Sequence, residues 1–88
     1  MLKITFYPEA LEELFDLSKH DKANFKRIEK VIREIQRTPF EGIGKPEPLK
    51  HNFKGLWSRR IDDKNRIIYE VFADSICILS CKGHYGDK

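Results

Sequence analysis

Glu47 lies between two prolines in the run Gly44-Lys45-Pro46-Glu47-Pro48-Leu49-Lys50-His51, an acid among cations on a stiffened backbone. Proline fixes its own φ and biases the preceding residue toward extended geometry, so Lys45 and Glu47 are both expected outside helix. A carboxylate surrounded by Lys45, Lys50 and His51 is expected to be ionised near neutral pH, as suits a base facing an anionic substrate. A surface turn before a strand explains the same composition, so this segment alone does not decide between the two. Arg59, Arg60, Arg66 and His84 widen the choice of chemistry. A carboxylate, clustered arginines and a histidine suffice to cleave a ribose phosphodiester by internal attack. The base takes the 2′-hydroxyl proton, arginine stabilises the phosphorane-like transition state, and histidine protonates the departing 5′-oxygen. Arginine fits the middle role because its planar fork pairs two phosphate oxygens and never loses its charge. Glutamate is a weak base for a hydroxyl, with a reference pKa of about 4.3. Alignment must therefore supply most of the rate, and free RNA is expected to be cut slowly.

The other reactive side chains have ordinary explanations beside functional ones. Trp57 and Tyr69 fall in strand-like runs, where such rings usually fill the core or pair across strands. Tyr85, next to His84 near the end of the chain, has little core to fill and could stack on a base. His20 reads as surface decoration, and His51 is equally a proton-transfer group, a phosphate contact or a solvated strand-edge residue. No pair among His20, His51, His84, Cys77 and Cys81 has zinc-ligand spacing, so no metal site or other cofactor is expected. Neither a nucleophile elbow nor a phosphate-binding glycine loop is present.

These residues need a frame. Leu2, Ile4 and Phe6 alternate with Lys3, Thr5 and Tyr7 in the period of a half-buried strand, which Pro8 ends. Ala10, Leu11, Leu14, Phe15 and Leu17 or Ser18 recur at helical spacing behind early acids, which predicts a first helix. Asp21 is the expected N-cap of a second, basic helix with the apolar stripe Phe25, Ile28, Val31, Ile32 and Ile35, ending at Arg37 or Thr38 before Pro39. A Pro- and Gly-rich loop follows, from Pro39 to Pro48. Leu56 to Ile61, Arg66 to Ala73 and Ser75 to Cys81 then read as three strands turning at Asp62 to Asn65 and at Asp74. The expected fold is α+β, in the order β-α-α-β-β-β, with both helices on one face of an antiparallel twisted sheet. In that meander Arg66 and His84 share one end of the last hairpin, and Arg59 and Arg60 lie just across the first turn.

The chain has 88 residues, enough for one domain with one core and an open site. The net charge of +3 is uneven: residues 1–43 carry eight cations and eight acids, whereas residues 44–88 carry nine and six. The second half thus carries the positive field, which suits nucleic acid, an acidic protein or plain solubility. The longest uncharged run, Ser75 to Cys81, is far short of the roughly 20 apolar residues that span a bilayer. Two cysteines without a secretory segment suggest the cytoplasm. On one strand Cys77 and Cys81 would stand about 13 Å apart, too far to bond, and both read as core residues.

Four segments, Arg37-Thr38-Pro39-Phe40-Glu41-Gly42, Gly44 to His51, Trp57-Ser58-Arg59-Arg60-Ile61 and His84-Tyr85, strongly resemble the YoeB toxins of the RelE-like superfamily. The resemblance implies the RelE-like (microbial RNase-like) fold and a bacterial type II toxin that enters the ribosomal A site and cleaves messenger RNA there without a metal. By position it implies Glu47 as general base, Arg66 as transition-state arginine, His84 as general acid and Tyr85 as the tyrosine that orders the substrate. Lys50 and Arg60 correspond to phosphate-binding positions, and His51 and Arg59 belong to the same motifs. The resemblance also implies contact between the basic second helix and ribosomal RNA, a YefM-like antitoxin with an acidic tail, and joint repression of their operon through operator DNA. A homodimer stays open. The chain departs from the family pattern in adding Gly86-Asp87-Lys88 after the His-Tyr pair, and in Asp63-Lys64-Asn65, where relatives often carry acids and a histidine. Two other classes compete: a toxin of the same superfold acting on a protein such as DNA gyrase, and a nucleic-acid-binding module without catalysis.

Overall fold

The computed structural model describes residues 2–83, so His84 and Tyr85 lie outside the described residues. The chain forms β1 (Lys3–Phe6), α1 (Pro8–His20), α2 (Lys22–Arg37), β2 (Glu47–Pro48), a 3-10 turn (His51–Phe53), β3 (Leu56–Arg60), β4 (Arg66–Val71) and β5 (Ser75–Gly83). Pro8 both closes β1 and opens α1, where its missing N–H costs no helical bond. Asp21 alone joins the helices. Its N–H donates to the Leu17 carbonyl, and its side chain accepts from Asn24 N at 3.2 Å, so one residue ends α1 and caps α2 as expected. α2 ends at Arg37, and its Ile28, Val31 and Ile35 are buried at about 1.5–3 kcal/mol each.

The sheet is mixed where an antiparallel one was expected. Its order is β1-β5-β4-β3-β2, and β1 runs parallel to β5 with Lys3 opposite Ser75 and Phe6 opposite Ile78. Alternation identifies β1 as a strand but not its neighbour. A parallel partner needs a long crossover, which the whole intervening chain supplies. The other pairings are antiparallel. A fifth strand also appears, since Glu47 and Pro48 pair with Ser58 and Trp57 at the open edge, where a proline is tolerated.

Strand pleating sorts the residues onto two faces. Trp57, Tyr69 and Ile78 form one cross-strand row, which with Ile67, Ile76 and Cys81 packs against Ala10, Leu17, Ile28, Val31 and Ile35 of the helices. Ser58 and Ile68 face the other way, whereas Ser80, opposite Ile68 at a register shift, reaches Glu13 of α1 with its hydroxyl. Leu11 and Phe15, expected on the buried stripe of α1, are instead exposed, 37% and 51% respectively; Ala10, Leu14 and Leu17 carry the packing.

Two carboxylates fix the ends of this frame. Glu13 Oε1 accepts from Cys81 N at 2.7 Å, Lys82 N at 3.2 Å and Ser80 Oγ at 3.1 Å, where β5 shifts register against β4. At the β3–β4 turn, Asp62 accepts from Lys64 N, Asn65 N and the buried Asn24 Nδ2, the last at 2.7 Å. These bonds, the Asn24 contact foremost, hold its carboxyl well below the usual carboxylate range despite partial desolvation. Both cysteines are free, and burial, reinforced by nearby Glu13, pushes the Cys81 thiol up to about 12, which makes it a packing residue.

Candidate active site

The face away from the helices carries the chemistry. Glu47 sits opposite Ser58, and Arg60 sits opposite Arg66. Ser58 and Arg60 are two residues apart on one strand, so all four belong to the same face. Arg66 Nη1 lies 3.4 Å from Glu47 Oε1, joining the expected base to the expected transition-state arginine. The Glu47 side chain is 64% exposed and that of Arg66 only 20%, so the acid faces solvent while the arginine is sunk beneath it.

The loop after β2 makes one wall. Leu49 N donates to Leu56 O at 2.9 Å, closing a wide hairpin around the 3-10 turn, and Leu49 is buried. Glu47, Pro48, Leu49, Lys50, His51, Asn52, Phe53 and Ser58 line a cleft of about 560 Å³. His51 adopts φ +58°, an uncommon conformation that histidine tolerates better than most side chains. Lys45 also departs from expectation, taking φ +50° where the following proline favours an extended residue. The neighbouring Gly44 explains the tight approach: its carbonyl accepts from Arg60 N at 2.7 Å, and a Cβ there would stand 2.9 Å from Arg60 O. The loop is thus pinned to β3 just before the Pro-Glu-Pro run. A second hollow of about 320 Å³ on the helices is lined by Leu14, Phe25, Ile32 and Gln36 and by Glu29 and Arg33, which pair with each other at 3.2 Å one helical turn apart.

Arg59 corrects the reading of the sequence. Expected to bind substrate, it is fully buried on the helix-facing side, one pleat away from Arg60. Its Nε donates to Tyr69 Oη at 3.1 Å, Nη1 to Ile43 O at 3.2 Å, and Nη2 to Glu41 O at 2.8 Å and to Thr38 O. Tyr69 Oη in turn donates to Pro39 O at 2.8 Å. Burial raises the Tyr69 phenol above its ordinary pKa, opposed by the guanidinium, so it stays a donor. Arg59 is therefore a strut that ties the loop after α2 to the sheet. Trp57 also packs, its ring centroid 4.8 Å from that of Phe40 on the same loop.

Glu47, Lys50 and His51 line the cleft, and Arg60 and Arg66 join Glu47 on its face. Arg66 pairs with Gly83, and the expected neighbours of Arg66 at that hairpin end, His84 and Tyr85, lie outside the described residues. Ser58, Asn52 and Phe53 also line the cleft, although the sequence had assigned them no role. Ser58 had a legible signal in its position two residues before Arg60 on a strand, whereas the loop pair had none. Among the described residues, no group of three or more His, Cys, Asp or Glu is arranged to hold a metal. No helix there is long and apolar enough to cross a membrane.

Known proteins resemble this chain in sequence and fold. Residues 6–85 match the family model described as the YoeB-like toxin of bacterial type II toxin–antitoxin systems. The chain is 44% identical over 84 residues to the toxin YoeB of Escherichia coli K12, covering 96% of this chain and all of that one. The toxin RelK of Mycobacterium tuberculosis is likewise 44% identical, over 85 residues, with 97% and 100% covered. Among solved structures, a YoeB dimer from Staphylococcus aureus superposes with a TM-score of 0.89 at 45% identity, over 96% of this chain and 98% of that one. YoeB in a heterotetrameric YoeB–YefM toxin–antitoxin complex from the same organism gives 0.87 at 44% identity, over 97% and 99%. With its Glu47–Arg66 cleft on the RelE-like α+β frame, this chain belongs to the YoeB-like toxins of bacterial type II toxin–antitoxin systems.

Proposed function

We propose that this toxin is a ribosome-dependent endoribonuclease that cleaves messenger RNA in the A site and so stops translation in the cytoplasm. The observation that carries the reading is the 3.4 Å contact between Glu47 and Arg66 at the cleft. Glu47 takes the proton from the 2′-hydroxyl, and the 2′-oxygen attacks phosphorus. Arg66 stabilises the charge on the equatorial oxygens, with Lys50 and Arg60 holding the phosphate and His51 at the cleft wall. As the bond from phosphorus to the 5′-oxygen breaks, His84 supplies the proton to that oxygen, and Tyr85 orders the base beside it. The products are a 2′,3′-cyclic phosphate and a 5′-hydroxyl, and no metal is called on. The bond between Glu47 and Arg66 must loosen for the substrate to enter, and its exposed acid makes that inexpensive. Ribosome binding supplies the alignment that a weak base cannot, drawing on the basic face of α2. A YefM-like antitoxin holds the toxin inactive, and the pair represses its operon by binding operator DNA.

The test is a translation reaction on a defined messenger, with cleavage mapped by primer extension. Glu47→Ala and Arg66→Ala are each expected to abolish A-site cleavage while ribosome binding persists. Full cleavage by either variant, or products carrying a 5′-phosphate, would refute the mechanism. If the arginines served only to bind nucleic acid, Glu47→Ala would leave function intact or tighten binding.

A further inference from the structure

Four polar or charged residues are buried in the described chain: Asn24, Ser58, Arg59 and Ser80. Three are fully employed. Asn24 donates to Asp62 and accepts from Arg27, Arg59 donates to three carbonyls and a phenol, and Ser80 donates to Glu13 and accepts from Lys82 N. Ser58 is the exception. It is 1% exposed, and its Oγ has no hydrogen-bond partner. Leaving a buried hydroxyl unmade is costly, so the fold tolerates at this position what it avoids at the other three.

The place is informative. Ser58 lines the same cleft as Glu47 and is its direct cross-strand partner. Two residues along the same face stands the Arg60–Arg66 pair. By register Ser58 thus stands between an acceptor-only carboxylate and donor-only guanidinium groups, with its Oγ covered from solvent, so a ligand meets the hydroxyl when the Glu47–Arg66 contact opens for substrate entry. A ligand bridging acid and arginine would bring an acceptor oxygen over Ser58. In a phosphodiester whose 2′-hydroxyl meets Glu47 and whose equatorial oxygens meet Arg66, that acceptor is a non-bridging phosphate oxygen.

We propose that Ser58 is a direct substrate contact, its hydroxyl donating to a non-bridging oxygen of the scissile phosphate. The assignment rests on the nuclease reading above. A neutral donor adds to Arg66 without lowering the basicity of Glu47, because it brings no charge to the cleft. The vacant hydroxyl is thus a stability cost retained for binding.

Ser58→Ala on programmed ribosomes, under single-turnover conditions, tests this. Cleavage is expected to fall about tenfold or more, the size of one hydrogen bond to a charged oxygen, while the melting temperature stays level or rises. Wild-type protein should cut one phosphorothioate diastereomer of the messenger more slowly than the other, and Ser58→Ala should shrink that preference. Cleavage within twofold of wild type would overturn the assignment, as would a lower melting temperature, which would mark the hydroxyl as structural. An unchanged diastereomer preference beside slowed cleavage would also overturn it, pointing to orientation of Glu47 instead. Failure of the wild-type protein to cut would refute the nuclease reading itself, and the phosphate contact with it.

Discussion

Replacing Arg59 by alanine should unfold much of what positions the cleft, although Arg59 never reaches it. The guanidinium holds the carbonyls of Thr38, Glu41 and Ile43 and the hydroxyl of Tyr69. Four charge-assisted hydrogen bonds at about 1.5–3 kcal/mol each set an upper bound of about 6–12 kcal/mol. The carbonyls belong to a surface loop and regain water once released, so the net loss should be about 3–5 kcal/mol. At about 0.05–0.15 kcal/mol per residue, the whole chain has about 4–13 kcal/mol to lose. Urea unfolding followed by far-ultraviolet circular dichroism should show a midpoint lowered by about 1–5 M. Amide exchange should accelerate along residues 38–44, and Arg59→Lys, which keeps the charge but loses the planar fork, should recover only part of the loss. A phosphate-binding arginine would behave in the opposite way, losing activity at unchanged stability. Unfolding of Arg59→Ala within 0.5 kcal/mol of wild type, a margin usual for ordinary surface positions, would refute the strut.

Two further outcomes follow from the carboxylates. The depressed Asp62 group stabilises the fold above its unfolded value of about 3.9, and that contribution is lost as pH falls toward the folded value. Melting temperature should therefore drop steeply below about pH 4 in the wild type and less steeply in Asp62→Asn, and parallel acid limbs would contradict this. Glu13→Ala leaves the amide of Cys81 without its acceptor and that of Lys82 with Ser80 Oγ alone, and should cost about 1–3 kcal/mol with faster exchange foremost at Cys81.

Much of this architecture is written locally. Pro8 and Asp21 announce the helix boundaries because each acts through its own backbone or nearest amides, and Ile28, Val31 and Ile35 announce a face through their spacing. What the chain hides is set by partners far away in sequence. β2 is two residues long and becomes a strand only because β3 lies beside it. Leu11 and Phe15 have helical spacing, yet the angle at which α1 meets the sheet leaves them in solvent. Arg59 and Arg60 are chemically identical, and only the register of β3 against β4 sends one inward and the other to the cleft. The motif containing both could not distinguish scaffold from site. Glu47 and Arg66 were legible as partners in chemistry, but their contact depends on β2 and β4 flanking the same strand.

The parallel pairing of β1 with β5 also governs when the molecule can exist. Among the described residues the first strand finds its neighbour in the last, with Lys3 opposite Ser75, and β5 is the strip that joins β1 to the rest of the sheet. Until residues 75–83 are made, β1 has no partner and the helices have no sheet centre to cover. Such long-range closure slows folding and makes it a late event. A chain interrupted before β5 is therefore an unfolded chain rather than a weakened toxin, and assembly of the cleft waits until β5 has been made.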